Sequence, residues 1–356
     1  MSAAVFRLHA HCIPVRGARR STLCDLQRRA YHLIPNGLYE ILTAHRDHTR
    51  AQVHAAYAGS EAVVDEYFAF LESRELGWWC DEPERFPAMD LSWEVPARVT
   101  NAIVDVDDES RHDYADLVAQ LEGLGCQTLQ LRFFAPRSLD EVETVVGLTD
   151  QGRLRSVELL LPWTRECTDE ALFDLCRRHP RLISLFVHGA PERRVATVPN
   201  FSNTVVFRTE VVGSEAHCGE VHPAYFVTSL SSFGEALAHN SCLNRKLSVD
   251  RRGDIRNCPA MPRSFGNAAG TPLAQALEHP DFRQWWGVTK DQVETCRDCE
   301  FRYVCTDCRA HVRDPADRFS KPARCAYDPY QARWDDAVPA HVEAGRGARV
   351  SAGAAA

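Results

Sequence analysis

Seven of the fourteen cysteines in this 356-residue chain lie between residues 242 and 325, at ordered spacings. The first pair reads Cys242-x10-Gly253-x4-Cys258. A tighter group follows, Cys296-x2-Cys299-x5-Cys305-x2-Cys308, and Cys325 closes the set. Thiolates this close together suit a soft metal or an iron–sulfur cluster, because several sulfurs must converge on one small centre. Disulfides are the competing use. The opening residues Met1 to His9 have neither a charged leader region nor a long apolar run, so a cytoplasmic, thiol-reducing setting is expected. There, clustered cysteines bind metal more often than they cross-link. The other seven (Cys12, Cys24, Cys80, Cys126, Cys167, Cys176 and Cys218) are scattered and read mostly as buried small hydrophobes.

The rest of the chain divides into segments. Residues 1–85 carry a small mixed domain. Val5 to His9 alternates like a strand, Pro14 to Gly17 offers a turn, and Ser21 to Leu26 reads as its partner strand. A third strand spans Tyr31 to Ile34. Helices follow at Leu38 to Ala44 and Glu61 to Glu75, ending in Leu76-Gly77-Trp78-Trp79. Residues 98–235 alternate strand and helix patterns. Strands are read at Asn101–Val106, Thr128–Phe134, Ser156–Leu161, Leu182–Val187 and Asn203–Phe207. Helices are read at His112–Leu124, after a Ser138-x-x-Glu141 capping box, and at Leu172–Arg178. Such repeats predict an α/β fold with a parallel sheet or partial β/α barrel. Residues 236–335 hold the cysteines, and 336–356, poor in large apolar side chains, are expected to be a disordered tail.

Composition narrows the function. A formal charge of -8 argues against a nucleic-acid partner, and the absence of a run of about 18 apolar residues argues against a membrane span. The histidines form no pair at helical metal spacing and are read as surface residues. The acidic stretch Asp105 to Asp113 reads as a solvated loop with helix N-terminal acids.

The layout resembles radical S-adenosylmethionine enzymes that carry a SPASM domain. The pattern Cys-x(9–15)-Gly-x4-Cys, then Cys-x2-Cys-x5-Cys, then an isolated Cys matches that domain. This chain departs from it with two residues rather than three between Cys305 and Cys308. The Cys-x3-Cys-x2-Cys loop that serves radical initiation is missing, and the acidic stretch from Asp105 stands in its place, so no cleavage of S-adenosylmethionine is expected. From about Phe6 to Tyr330 the chain resembles the SPASM-domain peptide maturases of grasp-with-spasm systems, which belong to ribosomally made, post-translationally modified peptide pathways. The stretch from Thr289 to Ala310 carries most of the likeness, with Cys12-Ile-Pro-Val-Arg-Gly and Cys24-Asp-Leu-Gln-Arg at the other end.

That resemblance implies a winged-helix-like recognition element at the N-terminus, binding a precursor leader peptide by strand addition. It also implies an ATP-grasp ligase partner and one or two 4Fe-4S clusters. Carried over by position, one cluster would use Cys296, Cys299, Cys305 and Cys325. The other would use Cys242, Cys258 and Cys308, with Cys218 as candidate fourth ligand. Thr271 and Pro272 would start a spacer helix, and Phe282, Trp285 and Trp286 would screen the clusters. Zinc held by the two Cys-x2-Cys pairs is the alternative metal. A non-catalytic scaffold stapled by metal is the alternative function.

Overall fold

The computed structural model describes residues 4–201 and 203–335. The expected tail at 336–356 lies outside the described residues. The N-terminal part runs β1 (Val5–Leu8), β2 (Cys12–Val15), β3 (Ser21–Asp25), β4 (Ala30–Ile34), α1 (Asn36–Thr43), α2 (Arg50–Ala56), α3 (Glu61–Ser73) and β5 (Gly77–Cys80). β2, β3 and β4 form an antiparallel sheet in that order, and β1 pairs with β5.

Two expectations are corrected here. Val5–Leu8 is partnered by Gly77–Cys80, not by Ser21–Leu26, so Leu76 to Trp79 leads into a strand rather than closing a helix. The stretch read as a turn, Pro14 to Gly17, begins inside strand β2. Pro14 is tolerated there because β2 lies at the sheet margin, where a missing N–H costs no ladder bond. Leu23, Ile34, Leu38, Ile41, Val64, Phe68 and Leu71 bury together between this sheet and its helices.

The larger part runs β6 (Asn101–Val106), α4 (Tyr114–Gly123), β7 (Thr128–Phe133), α5 (Leu139–Gly147), β8 (Ser156–Pro162), α6 (Asp169–Arg178), β9 (Leu182–His188), β10 (Arg194–Thr197) and β11 (Thr204–Phe207). It continues with α7 (Leu230–Ala238), β12 (Lys246–Val249), β13 (Ile255–Arg256), α8 (Leu273–Glu278), β14 (Tyr327–Asp328) and β15 (Arg333–Trp334). Eight strands make one mostly parallel sheet, ordered β10-β11-β9-β8-β7-β6-β12-β13, with antiparallel strands only at its two margins. The molecule is therefore a mixed α/β fold. Strands β12 and β13 come from the cysteine-rich stretch, and β12 runs parallel to β6.

Strand alternation gives this sheet two unlike faces. On one, Val104, Val106, Leu129, Leu131, Leu159, Leu161, Leu185 and Leu247 join α4, α5, α6 and α8 in the main core. The other is polar. Thr128 meets Ser156 at 2.9 Å, Gln130 donates to Glu158 at 2.9 Å, and Arg132 reaches Asp105. Helix starts follow local chemistry. Both bonds of the Ser138–Glu141 capping box are made, and Asp113 caps α4. Helix α8 begins at Leu273, one residue later than expected. Its first amide donates to the Gln120 side chain of α4 at 2.7 Å, so Pro272 precedes the helix and Thr271 is not its cap.

Candidate metal centre

All fourteen cysteines are free thiols, and six of the scattered seven are buried; Cys218 is exposed. The cysteines from Cys218 onward fall into two groups, close enough within each for one ionised thiolate to act on another. In the first group, burial pushes Cys296 up to about 12, and Cys305 and Cys325 act in the same direction. Burial also raises Cys299, where Cys305 and Cys296 contribute, and Cys305, where Cys325 contributes. In the second, burial pushes Cys258 up to about 12 and Cys308 up to about 11, with Cys242 and Cys218 adding to both shifts. The sets are thus Cys296, Cys299, Cys305, Cys325 and Cys218, Cys242, Cys258, Cys308.

Local backbone chemistry builds the second group. The β12–β13 hairpin turns at Asp250–Gly253, with Gly253 at φ +87°, and folds Cys258 back toward Cys242. Cys218 is delivered by a separate loop. Arg324, beside Cys325, donates to the carbonyls of Cys218 and Ala216 and ties that loop to the module. Gly219, at φ +93°, passes so close that a Cβ there would stand 2.8 Å from Cys308 Sγ. Only glycine fits between Cys218 and that sulfur.

The sequence reading missed the cations. Only three of the 41 basic residues are lysines, Lys246, Lys290 and Lys321, and all three lie in the cysteine-rich stretch. Lys290 is buried and donates to Cys305 Sγ at 2.9 Å and to the carbonyls of Cys305 and Thr306. Half-buried Lys246 donates to Cys242 Sγ at 3.5 Å. Burial disfavours charge on both ammonium groups, yet the surrounding thiolates, joined at Lys290 by the Asp307 carboxylate, outweigh it and raise both. A buried charge must be paired, and each lysine takes one sulfur of a different group as partner. A lysine carries its charge at one compact point with rotatable donors, which suits a sulfur better than the wide arginine fork.

Asp105 is corrected too. It is fully buried, not solvated, and receives two hydrogen bonds from Arg132, at 2.6 and 2.8 Å. Parallel register places these residues side by side on β6 and β7. Burial pushes the Asp105 carboxyl up to about 6 against the pull of Arg132. Cys218 and Cys258 help raise the Arg132 value, so the second cysteine group stands over the polar face of the sheet. Of the three expected screening aromatics, Trp285 alone packs with both groups, beside Cys258 and Cys296. Phe282 and Trp286 belong to the main core instead. His222, expected at the surface, is buried and accepts from the Ala224 amide.

The first cysteine group is also fastened to the N-terminal sheet. Thr22 donates to the Glu300 carbonyl at 2.7 Å, the Ala18 amide to the Asp298 carbonyl at 2.8 Å, and Arg20 to the Glu300 carboxylate at 2.7 Å. These contacts bracket Cys299. Val15, Cys24 and Leu26 pack with Phe301, Val304 and Cys305 in one cluster.

The chain matches no protein-family model, and no curated protein matches it. No helix of the described residues is long and apolar enough to cross a membrane.

Proposed function

We propose that this chain is a peptide maturase, or the accessory to one, in a ribosomally made, post-translationally modified peptide pathway. In this reading it carries two 4Fe-4S clusters and presents a precursor peptide to an ATP-grasp ligase. The observation that carries the reading is the division of eight cysteines into two groups of four, each with its own lysine. The donor set fits the clusters. Cys296, Cys299, Cys305 and Cys325 would hold one, Cys218, Cys242, Cys258 and Cys308 the other. Lys290 and Lys246 would offset the negative charge of thiolate-bound iron. When bound, such clusters supply one-electron storage.

Spacing argues against zinc within either cysteine group. With Zn–S bonds of about 2.3 Å, tetrahedral zinc needs its sulfurs about 3.8 Å apart. Among the described residues, no three cysteine sulfurs lie within 4.8 Å of one another. A cluster of several iron and sulfide atoms holds its thiolates farther apart. The parallel strands, with helices on one face and polar side chains on the other, support a degenerate radical-enzyme core as the platform.

The N-terminal order, a three-stranded sheet followed by three helices, supports a winged-helix-like leader-binding element. The docking edge is β4 rather than β3. β3 has β2 on one side and β4 on the other, so neither of its edges can accept a peptide. β4 is at the margin, its Leu33 is 46% exposed, and its His32 ring faces Phe70 of α3 at 6.2 Å. A leader strand added to β4 would lie along α3. Replacing Leu33 with glutamate is expected to weaken leader binding by about tenfold or more while stability changes by about 0.5 kcal/mol or less, as at other surface positions. Calorimetric titration with the precursor leader checks it.

The direct test of function mixes precursor, ATP-grasp ligase and ATP with and without this protein, read by mass. A product that requires the intact cysteines supports a maturase. The same product from the ligase alone, merely faster with this chain, supports a scaffold. The fastening of Cys299 to the N-terminal sheet favours that second reading, since metal there would brace the peptide-binding element.

A further inference from the structure

A separate set of ligand-type side chains lies far along the chain from the clustered cysteines. The β2–β3 register sets Cys12 directly opposite Asp25, and His11 precedes Cys12 in the turn out of β1. Directly opposed residues on antiparallel strands bring their side chains within reach of each other. Here one ligand atom each from His11, Cys12 and Asp25 lies within 4.8 Å of the others, the one such trio among the described residues. Cys12 and Asp25 are buried, and His11 is half-buried.

We infer that His11, Cys12 and Asp25 form a mononuclear site for a zinc-like divalent ion. The donor set is imidazole, thiolate and carboxylate, the types that a borderline-soft ion takes. Geometry favours coordination over a plain ion pair. His11 Nε2 stands 3.6 Å from Asp25 Oδ1, too long for a hydrogen bond. It is close to the roughly 3.4 Å edge of a tetrahedron with metal–ligand bonds of about 2.1 Å. The Arg28 amide donates to Asp25 Oδ1 at 2.8 Å, and the Arg28 guanidinium contacts Oδ2 at 3.3 Å. Outer partners of this kind orient a ligating carboxylate. Three protein ligands leave a fourth position for water. Cys12 and its neighbours His9 and Ala10 line a cleft of about 330 Å3 between β1, β2 and the segment 86–91.

The test uses the full chain, purified without oxygen and with its iron content measured, and cobalt(II) as the probe. Wild-type protein is expected to take up one cobalt with sulfur-to-cobalt charge transfer and the visible bands of a tetrahedral ion. His11→Ala and Cys12→Ala should each lose those bands while iron content stays unchanged. If Cys12→Ala fails to fold, His11→Ala decides, because its half-buried ring lies in a turn. Equal cobalt uptake and equal spectra in wild type and His11→Ala would overturn the site. The iron measurement reports independently on the clustered cysteines, so failure of one reading is separable from failure of the other.

Discussion

Replacing Cys305 or Cys299 with serine is expected to remove about half of the bound iron and to lower Tm far more than Cys126→Ser or Cys176→Ser. Cys305 is buried and its sulfur receives the Lys290 ammonium at 2.9 Å. Without the thiolate, the first group keeps three sulfurs, and the buried Lys290 ammonium loses the sulfur it donates to, with Asp307 left as its anionic neighbour. Structural metal binding is worth on the order of 10 kcal/mol in small metal-folded modules, and the weaker pairing of a buried charge adds to the loss. Cys126 and Cys176 are equally buried but sit in the main core. Serine there adds one polar group, with a cost of about 1–3 kcal/mol and no change in iron. Because the Cys299 loop holds the N-terminal sheet through Thr22 and Arg20, leader binding should fall with the first group's iron. Equal iron and equal Tm across the four variants would contradict the assignment.

The second large effect is expected at Arg132. Arg132→Met leaves the Asp105 carboxylate buried without its partner, and breaking such a pair costs about 3–5 kcal/mol. The loss should depend on pH in a defined direction. Burial already holds the folded carboxyl at about 6, above an unfolded value of about 3.9, and removing Arg132 takes away what pulls it down. A group raised on folding favours the folded state below its unfolded value and loses that contribution as pH rises through the folded one. The deficit of Arg132→Met against wild type should therefore be largest above neutrality and shrink as pH falls through 6. Denaturant unfolding at pH 8 and pH 5.5 measures it. Adding Asp105→Leu should recover most of the stability at pH 8. A deficit independent of pH would mean that the arginine acts through packing alone.

What the sequence disclosed follows from how local each signal is. The β-α repeats and the Ser138–Glu141 box are written in a few adjacent residues, and the structure has both. Strand β2 was hidden by Pro14, whose turn preference outweighs a strand only away from a sheet margin. Helix α2 was missed because Val53 is its one buried residue, too little for a periodic pattern. The Asp105–Arg132 pair joins residues 27 apart through parallel register, which no local pattern records. The trio at His11 depends in the same way on which residue of β3 opposes Cys12. The lysines were different. Three lysines among 41 basic residues, all in the cysteine-rich stretch, formed a compositional signal that could have marked Lys290 and Lys246 as partners of sulfur.

If eight cysteines hold two iron–sulfur clusters, iron and acid-labile sulfide must both be present in fixed number per chain. Protein reconstituted without oxygen should bind about eight irons and eight sulfides with a broad absorption near about 400 nm. Cys305→Ser and Cys258→Ser should each retain about half. One or two zinc ions per chain, with no sulfide and no visible absorption, would contradict the account.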